Sequence, residues 1–231
     1  MQVGDALGGG WDIYKRFWRH LVPIALIVYV IISLIALVLT SIAGVLGAIV
    51  SAFVSIAGVF WLQAALVEAV ADVRDGRVDL SIGDTLRRTW PRVPTVVLAG
   101  ILAGIAIAIG LALLIAPGLY LLTIWSLIVP AIVLEGRGVG EAFGRSRDLV
   151  RGYGWTVFGV ILVTFLLLVV VSIVVSILLS PLDDSLQRYL SDVVSNTVFA
   201  PFVAATWTLM YFQLRDLKEP APATDLTPAP T

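Results

Sequence analysis

Long uncharged apolar segments alternate with short polar segments along this chain. Segments long enough to cross a bilayer as helices are predicted near residues 21–44, 47–69, 94–115, 118–135, 155–180 and 193–214. Short turns separate the first from the second, the third from the fourth and the fifth from the sixth, which predicts three helical hairpins. The pattern therefore predicts an all-α polytopic integral membrane protein with six transmembrane helices.

A second pattern precedes each predicted hairpin. A β-branched residue, Gly, an acid, a small residue and a large apolar residue follow one another from Val3, Ile82 and Val139. An acid in the first turn suits the N-terminus of a helix, and apolar residues at helical spacing follow. We expect an amphipathic interfacial helix before each hairpin. Residues 1–218 then form one membrane domain, either with a threefold repeat (1–70, 80–135, 137–216) or with shared helix-start chemistry only.

The basic residues predict the orientation of the protein. Of the 15 Lys and Arg residues, all except Arg188 lie on one side of the predicted spans. Basic residues near membrane spans stay in the cytoplasm. We therefore expect a multi-pass protein of the plasma membrane with both termini cytoplasmic. Residues 219–231, rich in Pro and Ala, are predicted to form a disordered cytoplasmic tail.

Composition supports the membrane class and narrows the possible chemistry. Hydrophobic residues make up 59% of the chain and charged residues 13%, about half the charged share of a soluble domain. The net charge of −1 gives no reason to expect nucleic-acid binding. The chain has no Cys and a single His, His20, so no catalytic, metal or cofactor site is predicted.

Several residues are candidates for a cavity that opens to the cytoplasm or for contact with lipid. Two acids end even-numbered spans, and Trp residues lie roughly 10–15 Å inward along the helices. The alternative is that the acids pair with nearby Arg, with Arg145 and Arg147 as partners for Glu135, while the Trp residues fill the bundle. The candidates are Trp61, Glu68, Trp125, Glu135, Arg145, Arg147, Arg151 and Trp207.

Small residues and prolines predict features of helix packing. Gly100 and Gly104 form a G-x-x-x-G pair that allows close helix approach in lipid. Pro130 and Pro201 lie inside spans four and six and are predicted to kink them.

Residues 116–155 also carry a set of motif positions. The set is Pro117-Gly118-Leu119-Tyr120, Trp125, Pro130, Glu135, Ala142-Phe143, Arg145-Ser146, Leu149, Gly152 and Trp155. It resembles a signature of the prokaryotic glycerophosphoryl diester phosphodiesterase membrane domain proteins and of related YciC-like multi-span proteins. Ile124 and Arg147 depart from that signature. The resemblance implies a six-span helical membrane protein of unassigned activity.

The phosphodiesterase label is not expected to apply to this chain. The family takes it from fusions to a separate soluble hydrolase domain, which needs clustered His and carboxylate ligands. We expect a non-enzymatic accessory or organising subunit that contacts membrane lipids and a protein partner. The alternative is a carrier or flippase-like pathway for a lipid or apolar molecule. The oligomeric state is not predicted.

Overall fold

The computed structural model describes residues 2–181 and 184–219, without the side chains of residues 184–186, 188, 189 and 192. Most of that part is helical and none of it is strand, which confirms the predicted all-α class. Most of the predicted tail, residues 220–231, lies outside the described residues. The helices are α1 (Val3–Asp72), α2 (Ile82–Thr89), α3 (Val93–Leu113), α4 (Ile115–Ile124), α5 (Ile128–Glu135), α6 (Val139–Val150), α7 (Gly154–Leu178) and α8 (Asp184–Lys218).

Five helical stretches among the described residues are long and apolar enough to cross a membrane, judged by length and composition. The first of them, Val3–Asp75, contains both of the first two predicted spans. α3 accounts for the third span, α4 and α5 together for the fourth, α7 for the fifth, and the later part of α8 for the sixth.

The helix α1 folds back on itself at Gly44. The backbone leaves helical geometry there, with φ 53° and ψ −122°, a conformation that side-chain-bearing residues rarely adopt. Ile32 packs so closely on Gly58 that a Cβ at Gly58 would collide with it. In a straight helix these residues would lie about 39 Å apart, at 1.5 Å per residue. The two arms of α1 therefore pack side by side.

A second reversal joins α3 to α4. Leu114 is extended, with φ −156° and ψ 138°, and Gly110 lies so close to Gly118 that a Cβ on Gly110 would come within 3.0 Å of the Gly118 Cα atom. Across the last turn, the Gln187 Nε2 atom of α8 donates to the Ser176 carbonyl of α7 at 2.9 Å. The predicted turn residues Leu182 and Asp183 lie outside the described part.

The first turn of α1 and the helices α2 and α6 begin at the three positions that the repeated pattern predicts. The backbone N–H of Gln2 donates to Asp5 at 2.8 Å, and that of Gly138 donates to Glu141 at 3.3 Å. In α2 the Ser81 hydroxyl caps the helix by accepting from the N–H of Asp84 at 3.1 Å. In α1 and α6 the acid thus binds a backbone N–H at the helix start, whereas in α2 the Asp84 carboxylate accepts from the capping Ser81 hydroxyl at 2.6 Å.

The glycines near the N-terminus have a packing role. α1 is helical through residues 8–10, although each Gly costs a helix up to about 1 kcal/mol relative to Ala. A Cβ on Gly10 would collide with Thr206 of α8, and one on Gly9 would come within 3.0 Å of Leu209. Close packing on α8 offsets the low helix propensity of this stretch.

The apolar core forms three clusters, two of which include α8. One joins the two arms of α1 to α8, with Leu21, Val28 and Leu66 buried in it. The second joins α7 and α8 to the α4–α5 break and α6. The third joins the second arm of α1 to α3, α5 and α6. Along α7 and the outer turn of α1, large apolar side chains stay exposed, as a lipid-facing surface requires.

Candidate functional site

Glu135, the last residue of α5, is the centre of a network of charged and polar side chains. Its carboxylate lies 2.7 Å from the Arg145 Nη2 atom and 2.9 Å from the Arg137 Nε atom. The Tyr211 hydroxyl donates to the same carboxylate. Because these partners come from α8, α6 and the connection between α5 and α6, the network joins α5, α6 and α8.

Arg145 extends the network to the end of α8. Its Nη1 and Nη2 atoms donate to the two carboxylate oxygens of Glu219 at 2.6 and 3.1 Å. The side chains of Arg145 and Glu135 are only 15% and 16% exposed. We name the set Glu135, Arg137, Arg145, Tyr211 and Glu219 the Glu135 network. Its two acids balance its two arginines.

Electrostatics within this network reinforce the ionised forms. The hydrogen bond to Glu219, followed by those to Glu135, raises the pKa of the Arg145 guanidinium above its ordinary value. The Arg145 hydrogen bond lowers the pKa of the exposed Glu219 carboxyl. Since that pKa is lowered, the contact contributes to stability at pH values above the ordinary carboxyl pKa. This contribution is lost as the pH falls through the lowered pKa.

Glu68 forms a second, smaller network at the end of the second arm of α1. Its carboxylate lies 3.1 Å from the Arg88 Nε atom and 3.5 Å from the Arg92 Nη1 atom, and its side chain is 12% exposed. One turn later, Asp72 accepts from the backbone N–H groups of Asp79 and Leu80, both at 3.1 Å. These contacts fix the connection to α2 and α3.

The fourth predicted span is interrupted between α4 and α5, one turn before Pro130. Proline lacks an N–H and crowds the residue four positions earlier, here Ser126. The interruption leaves the Ile124 carbonyl and the Leu127 N–H without partners inside the helix. The buried Ser146 hydroxyl of α6 donates to the first at 2.7 Å and accepts from the second at 3.1 Å. Pro201, by contrast, lies inside the continuous helix α8.

The three candidate Trp residues lie in different parts of the bundle. Trp61 packs edge-on against Trp90, and its Nε1 atom donates to the Leu86 carbonyl at 3.3 Å. Trp125 packs edge-on against Phe143, with ring centroids 4.8 Å apart. Trp207 belongs to the cluster of α7 and α8, and its Nε1 atom is buried without a partner among the described residues.

The remaining candidates are the basic residues of α6 and of the turn after it. Of the two arginines predicted as partners of Glu135, Arg145 pairs with it and Arg147 is exposed. Arg147 and Arg151 form no ion pair with any described side chain. The Arg151 carbonyl accepts from the Lys218 Nζ atom at 2.7 Å. This contact holds the start of α7 beside the end of α8.

A cavity of about 750 Å³ lies between α4 and the start of α7. Its walls carry both apolar and hydroxyl-bearing side chains, including Tyr120, Thr123, Tyr153, Trp155 and Phe158. The Trp155 side chain is 87% exposed, so the cavity is open at the start of α7. None of the eight candidate residues lines it.

The cavity residues were absent from the sequence-based candidates, which were selected by acids and deep Trp residues. Tyr120, Gly152 and Trp155 belong to the motif positions of residues 116–155. That membership is the sequence signal that could have identified them. Across a gap of about 30 residues, only the fold reveals that α4 and α7 share a cavity.

Groups of three or more His, Asp or Glu side chains that could hold a metal ion are absent from the described residues. No family model, curated protein or solved structure matches this chain.

Proposed function

We propose that the protein is a six-span integral membrane protein of the plasma membrane that acts without catalysis as an accessory or organising subunit. It contacts lipids and a protein partner. In the proposed topology the two arms of α1 form the first hairpin, α3 with α4–α5 the second, and α7 with α8 the third. Residues 3–16, α2 and α6 serve as interfacial helices, and both termini are cytoplasmic.

The distribution of charge supports this topology. All Lys and Arg residues except Arg188 fall at the ends of α1 and α8, on α2 and the turn into α3, or on the α5–α6–α7 connections. The reversals at Gly44 and Leu114 carry no charge. Under the positive-inside rule the first group faces the cytoplasm.

One observation carries the functional proposal: both deeply placed acids are fully committed to ion pairs between helices. A carrier that used Glu68 and Glu135 at the rim of its pathway would need them available to solute. Here each joins a span to an adjacent cytoplasmic segment. A cytoplasmic face that ion pairs hold in one conformation is suited instead to binding a partner through a fixed surface. Trp11 and Trp18 on α1, 49% and 52% exposed, and the unpaired Arg147 contribute to that surface.

The topology is tested by labelling single cysteines, because the chain contains none. Val45→Cys, at a side chain that is 79% exposed beside Gly44, is expected to react with a membrane-impermeant maleimide on intact cells. Arg77→Cys is expected to react only after permeabilisation. The reverse result would overturn the orientation, and reaction of both on intact cells would overturn the even number of spans.

The subunit role is tested by extracting the protein into native lipid particles and measuring retained protein by mass spectrometry. A partner in fixed stoichiometry is expected, and Arg147→Gln is expected to weaken its retention. Arg87→Gln, at an exposed arginine of α2, is the matched control. Particles that hold this chain and lipid alone would contradict the role.

The second candidate is a carrier or flippase-like pathway, favoured by the cavity between α4 and α7. A single lipid species enriched in the particles without a partner would support it. Transport of that lipid across reconstituted vesicles should then fall when Trp155 is replaced by Ala.

A further inference from the structure

The cavity between α4 and α7 combines apolar walls with a cation at one end. Gly152, Tyr153 and Gly154 line it where α6 turns into α7, and Arg151 immediately precedes them. The Lys218 Nζ atom lies 2.7 Å from the Arg151 carbonyl and 6.0 Å from the Tyr153 ring centroid. The Lys218 ammonium group therefore lies at this end of the cavity, and the backbone of Arg151 adjoins it.

The cations Arg151 and Lys218 have no acidic partner among the described residues. Neither Arg151 nor Lys218 forms an ion pair there, and the first turn of α7 carries no acid. The acids next to Lys218 in sequence are paired with other arginines, Glu219 with Arg145 and Asp216 with Arg74 and Arg215. Asp148, one turn before Arg151 on α6, is exposed. The charges without an ion pair here are then those of Arg147, Arg151, Lys218 and Asp148, so their sum is positive.

The rest of the cavity is suited to an acyl chain. Leu119, Ile124 and Phe158 supply apolar surface, and Tyr120 and Trp155 supply exposed aromatic rings. Its volume of about 750 Å³ lies within the roughly 300–1,000 Å³ of sites that hold small molecules. In the proposed topology α4 and α7 cross the bilayer, so a cavity between them is accessible to lipid.

We propose that this cavity binds one anionic phospholipid of the cytoplasmic leaflet. The headgroup phosphate lies against Arg151 and Lys218, and one acyl chain lies between α4 and α7 against Tyr120, Trp155 and Phe158. The site deepens the proposed function and rests on its membrane topology, because the cavity faces lipid only if α4 and α7 span the bilayer. Charge complementarity with the two cations selects an anionic headgroup over a zwitterionic one.

The test is a titration of the detergent-purified full chain with dioleoyl phosphatidylglycerol or dioleoyl phosphatidylcholine, followed by native mass spectrometry. We expect one phosphatidylglycerol to bind at lower concentration than phosphatidylcholine. The double variant Arg151→Gln, Lys218→Gln should weaken phosphatidylglycerol binding by about 25-fold, or roughly fivefold per charge, and weaken phosphatidylcholine binding less. Arg87→Gln is the matched charge control.

A second pair of variants tests the acyl-chain part of the site. Gly154 lines the cavity, and a Cβ built there meets nothing within 4 Å, so Gly154→Leu should fill the cavity and abolish binding of both lipids. Gly104→Leu, at an equally open position of α3 outside the cavity, is the matched control. Equal affinity for the two lipids, or unchanged binding in Gly154→Leu, would overturn the proposal.

Failure of this site is distinguishable from failure of the proposed function. Extraction of membranes with alkaline carbonate reports whether each variant remains embedded. A chain that resists extraction, retains its partner and binds no phosphatidylglycerol would refute the lipid site alone. A chain released by carbonate would refute the membrane topology and the lipid site together.

Discussion

Replacing Ser146 by Ala tests whether α6 stabilises the interruption between α4 and α5. The substitution removes one hydroxyl from a fully buried side chain. The lost oxygen is the hydrogen-bond partner of two backbone groups, the Ile124 carbonyl at 2.7 Å and the Leu127 N–H at 3.1 Å. Ala fills nearly the same space, so the change in packing is small and the effect reports on the two hydrogen bonds.

The magnitude follows from the cost of leaving buried polar groups without partners. Each such group costs about 1–3 kcal/mol in a protein interior, whereas side-chain hydrogen bonds in membrane proteins average about 0.6 kcal/mol, with a maximum near 1.7. Two groups in a partly relaxed site then give about 2 kcal/mol, or roughly a 30-fold shift in the unfolding equilibrium. Ser126→Ala provides the control, because Ser126 donates only to the Thr123 carbonyl of its own segment at 2.9 Å.

The assay is reversible unfolding in mixed micelles of increasing dodecyl sulfate, followed by circular dichroism and tryptophan fluorescence. Ser146→Ala should lower the free energy of unfolding by about 2 kcal/mol, and Ser126→Ala should lower it by less than about 1. Equal effects of the two substitutions, or a change below about 0.5 kcal/mol for Ser146→Ala, would refute the bridging role.

Three further predictions use the same unfolding assay. Glu135→Gln should destabilise the protein by about 1.5–3 kcal/mol through loss of charge-assisted hydrogen bonds. Glu219→Gln, at an exposed position, should have the smaller effect. The reverse order would contradict the central place of Glu135 in the network. Gly100→Leu should cost about 1–3 kcal/mol because its side chain would meet the Phe60 ring, whereas Gly104→Leu, in open space, should be tolerated. Gly44→Ala should cost about 1–3 kcal/mol because Gly44 has a positive φ. Gly8→Ala, at an exposed helical position, should stabilise the protein by up to about 1 kcal/mol. Similar effects of the two substitutions would refute a strained reversal at Gly44.

Local features of this fold were accessible from the sequence because they depend on neighbouring residues. The helix starts at Val3, Ile82 and Val139 require only an acid close to unpaired N–H groups. The pairing of Glu135 with Arg145, ten positions later, is also nearly local, since the connection returns along the same helix end. Gly100 was correctly marked for close packing, but the same motif marked Gly104, which faces open space.

Contacts between distant segments were not accessible in this way. A run of three glycines argues against a stable helix until Thr206 and Leu209 are known to lie against it. The interruption of the fourth span precedes Pro130, but its position depends on the Ser146 hydroxyl of α6. Deep Trp residues read as cavity walls for as long as their neighbours are unknown. In the structure, Trp61 packs on Trp90 and Trp125 packs on Phe143.

The motif positions of residues 117–155 meet in one structural unit. Trp125 packs on Phe143, Glu135 pairs with Arg145, and Ser146 completes the interruption before Pro130. The same unit ends at Gly152, whose φ of +89° requires glycine and turns the chain into α7. The Ser146 hydroxyl joins the end of α4 to α6, and α6 turns into α7 at Gly152, so these contacts connect the two helices that line the cavity. Ser146→Ala should therefore alter lipid binding although Ser146 does not line the cavity.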